Sequence, residues 1–398
     1  MSVYTVCFSG TACTRDEGEK SRKESDRDIY TPDTGYIPVR IHKEITGTLQ
    51  PGRASASVRG VGENDWASPR DDSEPLKLDG PLEVPPDLLK YTQPYSGGNQ
   101  FSYPSQINGW AAVALALHGA NLAAASGAEQ YNLIGHSRGA AECIMAAWFL
   151  YAYGRRDVTV NIFAIDPVPG SGEWYGILTQ LPPNVLNFTG IYAWDHVGGR
   201  LDAGFMALVP RPNARQCQED QPPFKLGTTW KTLADHNQRA DPLQLQAGRT
   251  QPKGYQLYAC RGRHGTVTGN RTSDGMYDAS KADPSVDPVP ELIYKMAREH
   301  LSDWGTLFET PCAVQTKSAE LSEAIHKNHA TFDKMGGGPN RTSTLPWRPL
   351  VRRISSISGL NPANYYYLED VAGAPPALSN YPVTSERTGR GWVDWSYL

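Results

Sequence analysis

Apolar runs of strand length recur along the chain, each closed by polar or turn-forming residues. Val3 to Phe8, Ala54 to Val61, Tyr131 to Ile134, Val158 to Ile165, Asn187 to Trp194 and Tyr255 to Cys260 are of this kind. Tyr36 to Ile45 (YIPVRIHKEI) is read as a further strand on its alternating apolar positions. Two longer stretches, Gln106 to Ala125 and Ala140 to Tyr153, are apolar almost all round, which predicts buried helices. Strands that alternate with helices predict an α/β fold with a mainly parallel sheet. Ser68 to Pro104 has no period and reads as loops, and no internal repeat is visible.

Composition narrows the picture. A chain of 398 residues is long enough for one elaborated domain or two, with a sizeable core. A net charge of -4 without a Lys/Arg cluster argues against a nucleic-acid partner. The six cysteines lack zinc spacing, and most read as free thiols of a protein made in a reducing compartment. Met1 to Phe8 has no basic flank, so no cleaved signal peptide is expected. The most apolar windows fall short of the ~20 residues that a membrane span needs.

Chemistry enters at Gly135-His136-Ser137-Arg138-Gly139, a G-x-S-x-G pattern with a strand-like run before it and a helix-like run behind. In a nucleophile elbow the serine sits on a tight strand-to-helix turn, and the helix N-terminus faces any oxyanion formed there. Such a serine needs a base, and the base needs a carboxylate to hold its tautomer. His264 lies in a glycine-flanked loop after the last strand and is the expected base. Asp195, after the second strand beyond the elbow, is the favoured acid, with Asp166 after the first strand as the alternative. His136, inside the elbow, is read as packing or a local hydrogen bond. The oxyanion hole is expected from the Arg138 amide and the Gly10-Thr11 loop. Asp274, Asp278, Asp283 and Asp287 lack compact ligand spacing and read as a solvated loop, so neither metal nor cofactor is expected.

Together these segments resemble the α/β-hydrolase lipase effectors of bacterial type VI secretion. The resemblance rests on F-S-G-T at Phe8 to Thr11, R-G-V-G at Arg59 to Gly62, G-H-S-R-G-A at Gly135 to Ala140, I-D-P-V-P-G at Ile165 to Gly170, Y-A-W-D with G-F at Tyr192 to Phe205, and R-H-G-T-V at Arg263 to Val267. It covers roughly residues 3 to 335. His136 stands where the related domains carry Phe, and Ser9 where they carry Asp.

The resemblance implies an α/β-hydrolase fold, with helices on both faces of the sheet, over residues 1–335. It implies a cap or lid over residues 201–254, where Phe205, Met206, Phe224 and Trp230 would meet substrate, and leaves 336–398 as an extension packed on the domain. It also implies a phospholipase or lipase cutting membrane phospholipid esters. Such an enzyme is cytoplasmic where it is made and passes without a signal peptide into a target cell's periplasm. Its partners would be a cognate immunity protein and a secretion spike or tube protein. An intracellular esterase or thioesterase on a soluble substrate is the alternative, and a hydrolase-fold binding protein a more distant one.

Overall fold

Strands apolar on both faces, joined by helical connections, build a parallel sheet buried between two helix layers. The computed structural model describes residues 1–19, 29–62, 76–89, 109, 111–169, 176–178, 180–195, 207–216, 225–226, 233–234, 252–335, 366–367 and 393–397. Among these, β1 (Val3–Phe8), β2 (Ser55–Val58), β3 (Gln130–His136), β4 (Thr159–Ile165), β5 (Val185–Ala193), β6 (Tyr255–Cys260) and β7 (Val393–Tyr397) form a seven-stranded sheet. Its order is β7-β6-β5-β4-β3-β1-β2, and each neighbouring pair is parallel.

The main described helices are α1 (Ile37–Thr46), α2 (Ala112–Ala125), α3 (Arg138–Tyr153), α4 (Pro288–Asp303), α5 (Ser318–Lys327) and α6 (His329–Met335). Successive strand residues point to opposite faces. Leu133 and Ile162 join a core with the apolar sides of α2 and α3, while Ile134 and Phe163 join a second core with α1, α4, α5 and α6. Small side chains dominate α2 and the start of α3, which lets these two helices lie close together over one face.

One expected element changes type. Tyr36 to Ile45 is not a strand: Ile37–Thr46 is helical, with Pro38 in its first turn and Gly47 closing it at φ 67°. The alternation at Ile37, Val39 and Ile41 is compatible with a strand, but Ile37, Ile41 and Ile45 also repeat every four residues along one helix face. Proline inside a central strand would remove a ladder hydrogen bond, whereas in the first helical turn it costs nothing. Glycine in the left-handed region then ends the helix.

A row of amides crosses the middle of the sheet. Asn161 Nδ2 donates to Asn132 Oδ1 at 2.8 Å, and Asn187 Nδ2 donates to Asn161 Oδ1 at 2.7 Å. Asn132 is paired in register with Asn161, and Asn161 with Asn187. Asn132 Nδ2 also donates to Thr306 Oγ1 at 2.8 Å, which ties the row to the end of α4. Buried amides need partners, so the row holds only in this register.

From the C-terminal extension, β7 lies parallel to β6 at the sheet edge. Within 201–254, Leu208–Val209 pairs with Tyr366–Tyr367, and Lys225–Leu226 with Leu233–Ala234. Phe205, Met206, Phe224 and Trp230 lie outside the described residues, as does most of the segment expected to form a lid. No described helix is long and apolar enough to cross a membrane.

Candidate active site

Between β3, which ends at His136, and α3, which starts at Arg138, a single residue turns the chain. Ser137 makes the turn at φ 57°, ψ −123°, a conformation that residues with a side chain avoid. Its N–H donates to the Ile165 carbonyl at 3.0 Å, and its carbonyl accepts from Ala140 at 3.1 Å and from Val168 at 3.1 Å. Behind the turn, a Cβ on Gly139 would sit 2.5 Å from the Phe8 carbonyl oxygen and 2.6 Å from that of Ser9. Only glycine lets α3 start so close to the end of β1.

The described non-glycine residues with positive φ are Ala12 at 61°, Ser137 at 57° and Asp166 at 44°. All belong to the loops at the carboxyl ends of β1, β3 and β4. Each such conformation costs of order 1–3 kcal/mol and persists only where its surroundings enforce it. In parallel sheets this edge is where ligands bind.

His264 reaches the same edge from the loop after β6. Its Nδ1 lies 2.6 Å from Asp166 Oδ2, and Asp166 Oδ1 accepts the Ala193 N–H at 3.1 Å. The Asp166 carboxylate is fully buried, while the imidazole keeps 13% exposure. With Nδ1 committed to the carboxylate, Nε2 is the basic nitrogen. Ser137 Oγ makes no hydrogen bond among the described residues.

The favoured acid, Asp195, is not the partner of His264. Both of its oxygens face Arg261, at 2.7 Å from Nε and 3.1 Å from Nη2, and Oδ2 also accepts the Gly262 N–H at 2.7 Å. Arg261 is completely buried and reaches on to Asp333 of α6 at 2.7 Å. Asp195 N–H donates to the Gly262 carbonyl at 2.9 Å, so Asp195 anchors the loop that carries His264. The physical reason for the correction lies in the strand order. β4 lies next to β3, so Asp166 ends up beside the elbow, whereas β5 lies next to β6 and its carboxylate meets the guanidinium there. A signal for this was present: Arg261 directly follows an apolar strand, and a buried guanidinium demands a carboxylate.

The loop after β1 also differs from expectation. Gly10 N–H already donates to Tyr36 Oη at 2.7 Å, so this amide is engaged. Cys13 N–H returns to the Gly10 carbonyl at 3.0 Å, which leaves Thr11 at the apex of the turn. Arg138 Nη1 donates to Thr11 Oγ1 at 2.8 Å and joins this loop to the first residue of α3. The Arg138 amide belongs to the first helical turn, whose N–H groups have no partner within the helix. Tyr36 was not among the candidate residues; it came from the segment misread as a strand.

Asp274 and Asp278 hold Lys281, and Asp287 holds Arg271. Among the described residues no group of His, Cys, Asp or Glu could hold a metal ion.

Burial, and then the charge of nearby Arg138, press the His264 imidazole below its ordinary value of 6.5; the Asp166 carboxylate acts in the other direction. A depressed value keeps the ring neutral, and therefore basic, as the pH falls. If the site turns over a soluble ester, the acid limb of kcat/KM is therefore expected below pH 6.5. A limb above pH 7, measured with substrate well below KM, would show that Asp166 holds the free imidazole charged.

No family model matches the chain, and no curated protein matches it. Among solved structures, the chain is similar to an uncharacterized protein from Pseudomonas aeruginosa, with 14% sequence identity and a TM-score of 0.41. The match covers 90% of this chain and 53% of that one, so the chain spans about half the length of that protein.

Proposed function

We propose that the protein is a serine ester hydrolase in which Ser137 is the nucleophile, His264 the general base and Asp166 the acid that orients it. The observation carrying this reading is the conjunction, at one edge of a parallel sheet, of a strained strand-to-helix serine and a His264 imidazole 2.6 Å from the buried Asp166 carboxylate. The serine turn costs energy, and burying an ionised carboxylate costs desolvation that its hydrogen bonds to His264 and the Ala193 N–H must offset.

The chemistry follows from these roles. Ser137 Oγ attacks the ester carbonyl carbon while its proton passes to His264 Nε2, and Asp166 stabilises the imidazolium that forms. The oxyanion meets the Arg138 amide at the start of α3 and the Thr11 amide of the facing loop. The imidazolium gives its proton to the leaving alkoxide, and an acyl group remains on Ser137. Water, deprotonated by the same imidazole, then releases the acid.

The substrate class rests on the resemblance of the motifs to type VI lipase effectors: a phospholipid acyl ester in a target membrane. Delivery by that machinery, with an immunity protein and a spike or tube protein as partners, is part of the same proposal. The test is to treat the protein with a fluorophosphonate, locate the label, and measure fatty acid released from mixed phospholipid vesicles beside p-nitrophenyl esters. Label on Ser137 with release from vesicles supports the hydrolase and its phospholipid substrate. Label with turnover of soluble esters alone reduces it to an esterase or thioesterase. Label elsewhere, or none, removes it.

A further inference from the structure

We infer that Tyr36 and His136 form a buried positioning pair, which holds the backbone of His264 and the loop after β1 at fixed places around Ser137. This rests on the hydrolase reading above and adds to it two residues that take no part in the proton transfers.

The argument begins with an acceptor. The His264 carbonyl can only accept, and it lies 3.1 Å from His136 Nε2, so that nitrogen carries the proton. In a neutral ring Nδ1 is then bare and must accept. Its partner is the Tyr36 hydroxyl at 3.0 Å, which donates to it. The Tyr36 oxygen in turn accepts the Gly10 N–H at 2.7 Å. Gly10 N–H, Tyr36 Oη–H and His136 Nε2–H thus point one way along a chain that ends on the carbonyl of the proposed base. Burial, and then the neighbouring His264, keep His136 far below the usual histidine range, so the chain does not break by protonation at neutral pH.

Packing agrees with the hydrogen bonds. The His136 and His264 rings lie with centroids 4.5 Å apart. A Cβ on Gly10 would fall 2.8 Å from His136 Nδ1, 3.1 Å from Tyr36 Oη and 3.3 Å from Ser137 Cβ. Nucleophile, oxyanion loop and base loop therefore meet at this pair. A charged ring at His136 would oppose the imidazolium that His264 must become, which is why a neutral chain suits the place.

The experiment compares His136→Phe, His136→Gln and Tyr36→Phe with the wild type. Phe keeps the ring and loses both bonds, whereas the Gln amide can again donate to the His264 carbonyl. His136→Phe is expected to lower kcat about 10- to 100-fold, the scale of a small misplacement of reacting groups, with KM within about twofold and thermal unfolding little changed. His136→Gln should recover most of the loss. Wild-type kcat in a folded Phe variant, or a Gln variant as poor as Phe, overturns the proposal.

If His136→Phe does not fold, Tyr36→Phe, which removes the donor to Nδ1, is expected to lower kcat with KM within about twofold, and wild-type kcat in that variant overturns the proposal. An independent readout is the ¹⁵N spectrum of His136. It should show the Nε2–H tautomer between pH 5 and 9 in the wild type; in Tyr36→Phe the His264 carbonyl still holds that proton, and the bare Nδ1 resonance should shift because it loses the Tyr36 hydroxyl. The Nδ1–H form in the wild type overturns the hydrogen-bond chain whatever the activity. Absence of fluorophosphonate label from Ser137 of the wild type removes the hydrolase reading, and the role in turnover with it, while the tautomer still decides the chain.

Discussion

Asp166→Asn is expected to lower the turnover number by about 10⁴-fold, the size seen when a triad acid is neutralised. The carboxylate accepts from both sides, from His264 Nδ1 at 2.6 Å and from the Ala193 N–H at 3.1 Å. An amide in its place can present an NH₂ to Nδ1 and favour the wrong imidazole tautomer, with the proton on Nε2 where the base should be bare. Asp195→Asn should behave differently. It weakens the hold on Arg261 and the Gly262 turn, so activity per folded molecule should fall far less, and the loss should grow with temperature. Steady-state turnover on a soluble ester, measured for both variants at low temperature, separates the two roles. A larger loss at Asp195 than at Asp166 would return Asp195 to the triad.

Arg261→Met is expected to destabilise the fold by about 3–5 kcal/mol, because removing one member of a buried ion pair leaves the other charge uncompensated. The Arg261 side chain is 0% exposed and that of Asp195 1%, so water cannot take over the lost contacts. Asp333, at 24%, can be solvated and should matter less. The guanidinium also lies 5.5 Å from the Phe332 ring, so packing against α6 is lost together with the charge. Denaturant unfolding of Arg261→Met, Asp195→Leu and the double variant measures the coupling. The double variant should be more stable than either single one, since no charge is then stranded. A loss under about 1 kcal/mol in Arg261→Met would mean that α6 and the strand ends hold the loop without the pair.

Much of this arrangement was legible in the amino-acid sequence. Strands buried on both faces leave continuous apolar runs, and β1, β3, β4, β5 and β6 appeared as such. Gly135-His136-Ser137-Arg138-Gly139 marked the turn because its geometry admits few residue types. The Tyr36 to Ile45 segment misled because period two and period four coincide over so short a stretch, and Pro38 was the better guide. The carboxylate beside His264 ranked second for another reason. Chain order says which strand an aspartate follows, but not which basic group waits on the neighbouring strand. Asp195 and Asp166 look alike in one dimension; Arg261 distinguishes them in three. Tyr36 could not have been found by motif at all, since its role depends on a helix carrying it to the end of β1.

The amide row across β3, β4 and β5 has a consequence for how error propagates through the molecule. Ser137 and Asp166 follow their own row asparagines, Asn132 and Asn161, by the same number of residues along paired strands. A shift of the row relative to the helices therefore carries both residues together and leaves their separation unchanged. In the language of instruments, such noise is common-mode. His264 stands in the loop after β6, beyond the row, and is referenced to the others through Asp166, Asp195 and its backbone carbonyl. A shift of the row is thus expected to appear as a displacement of the imidazole relative to Ser137 and Asp166.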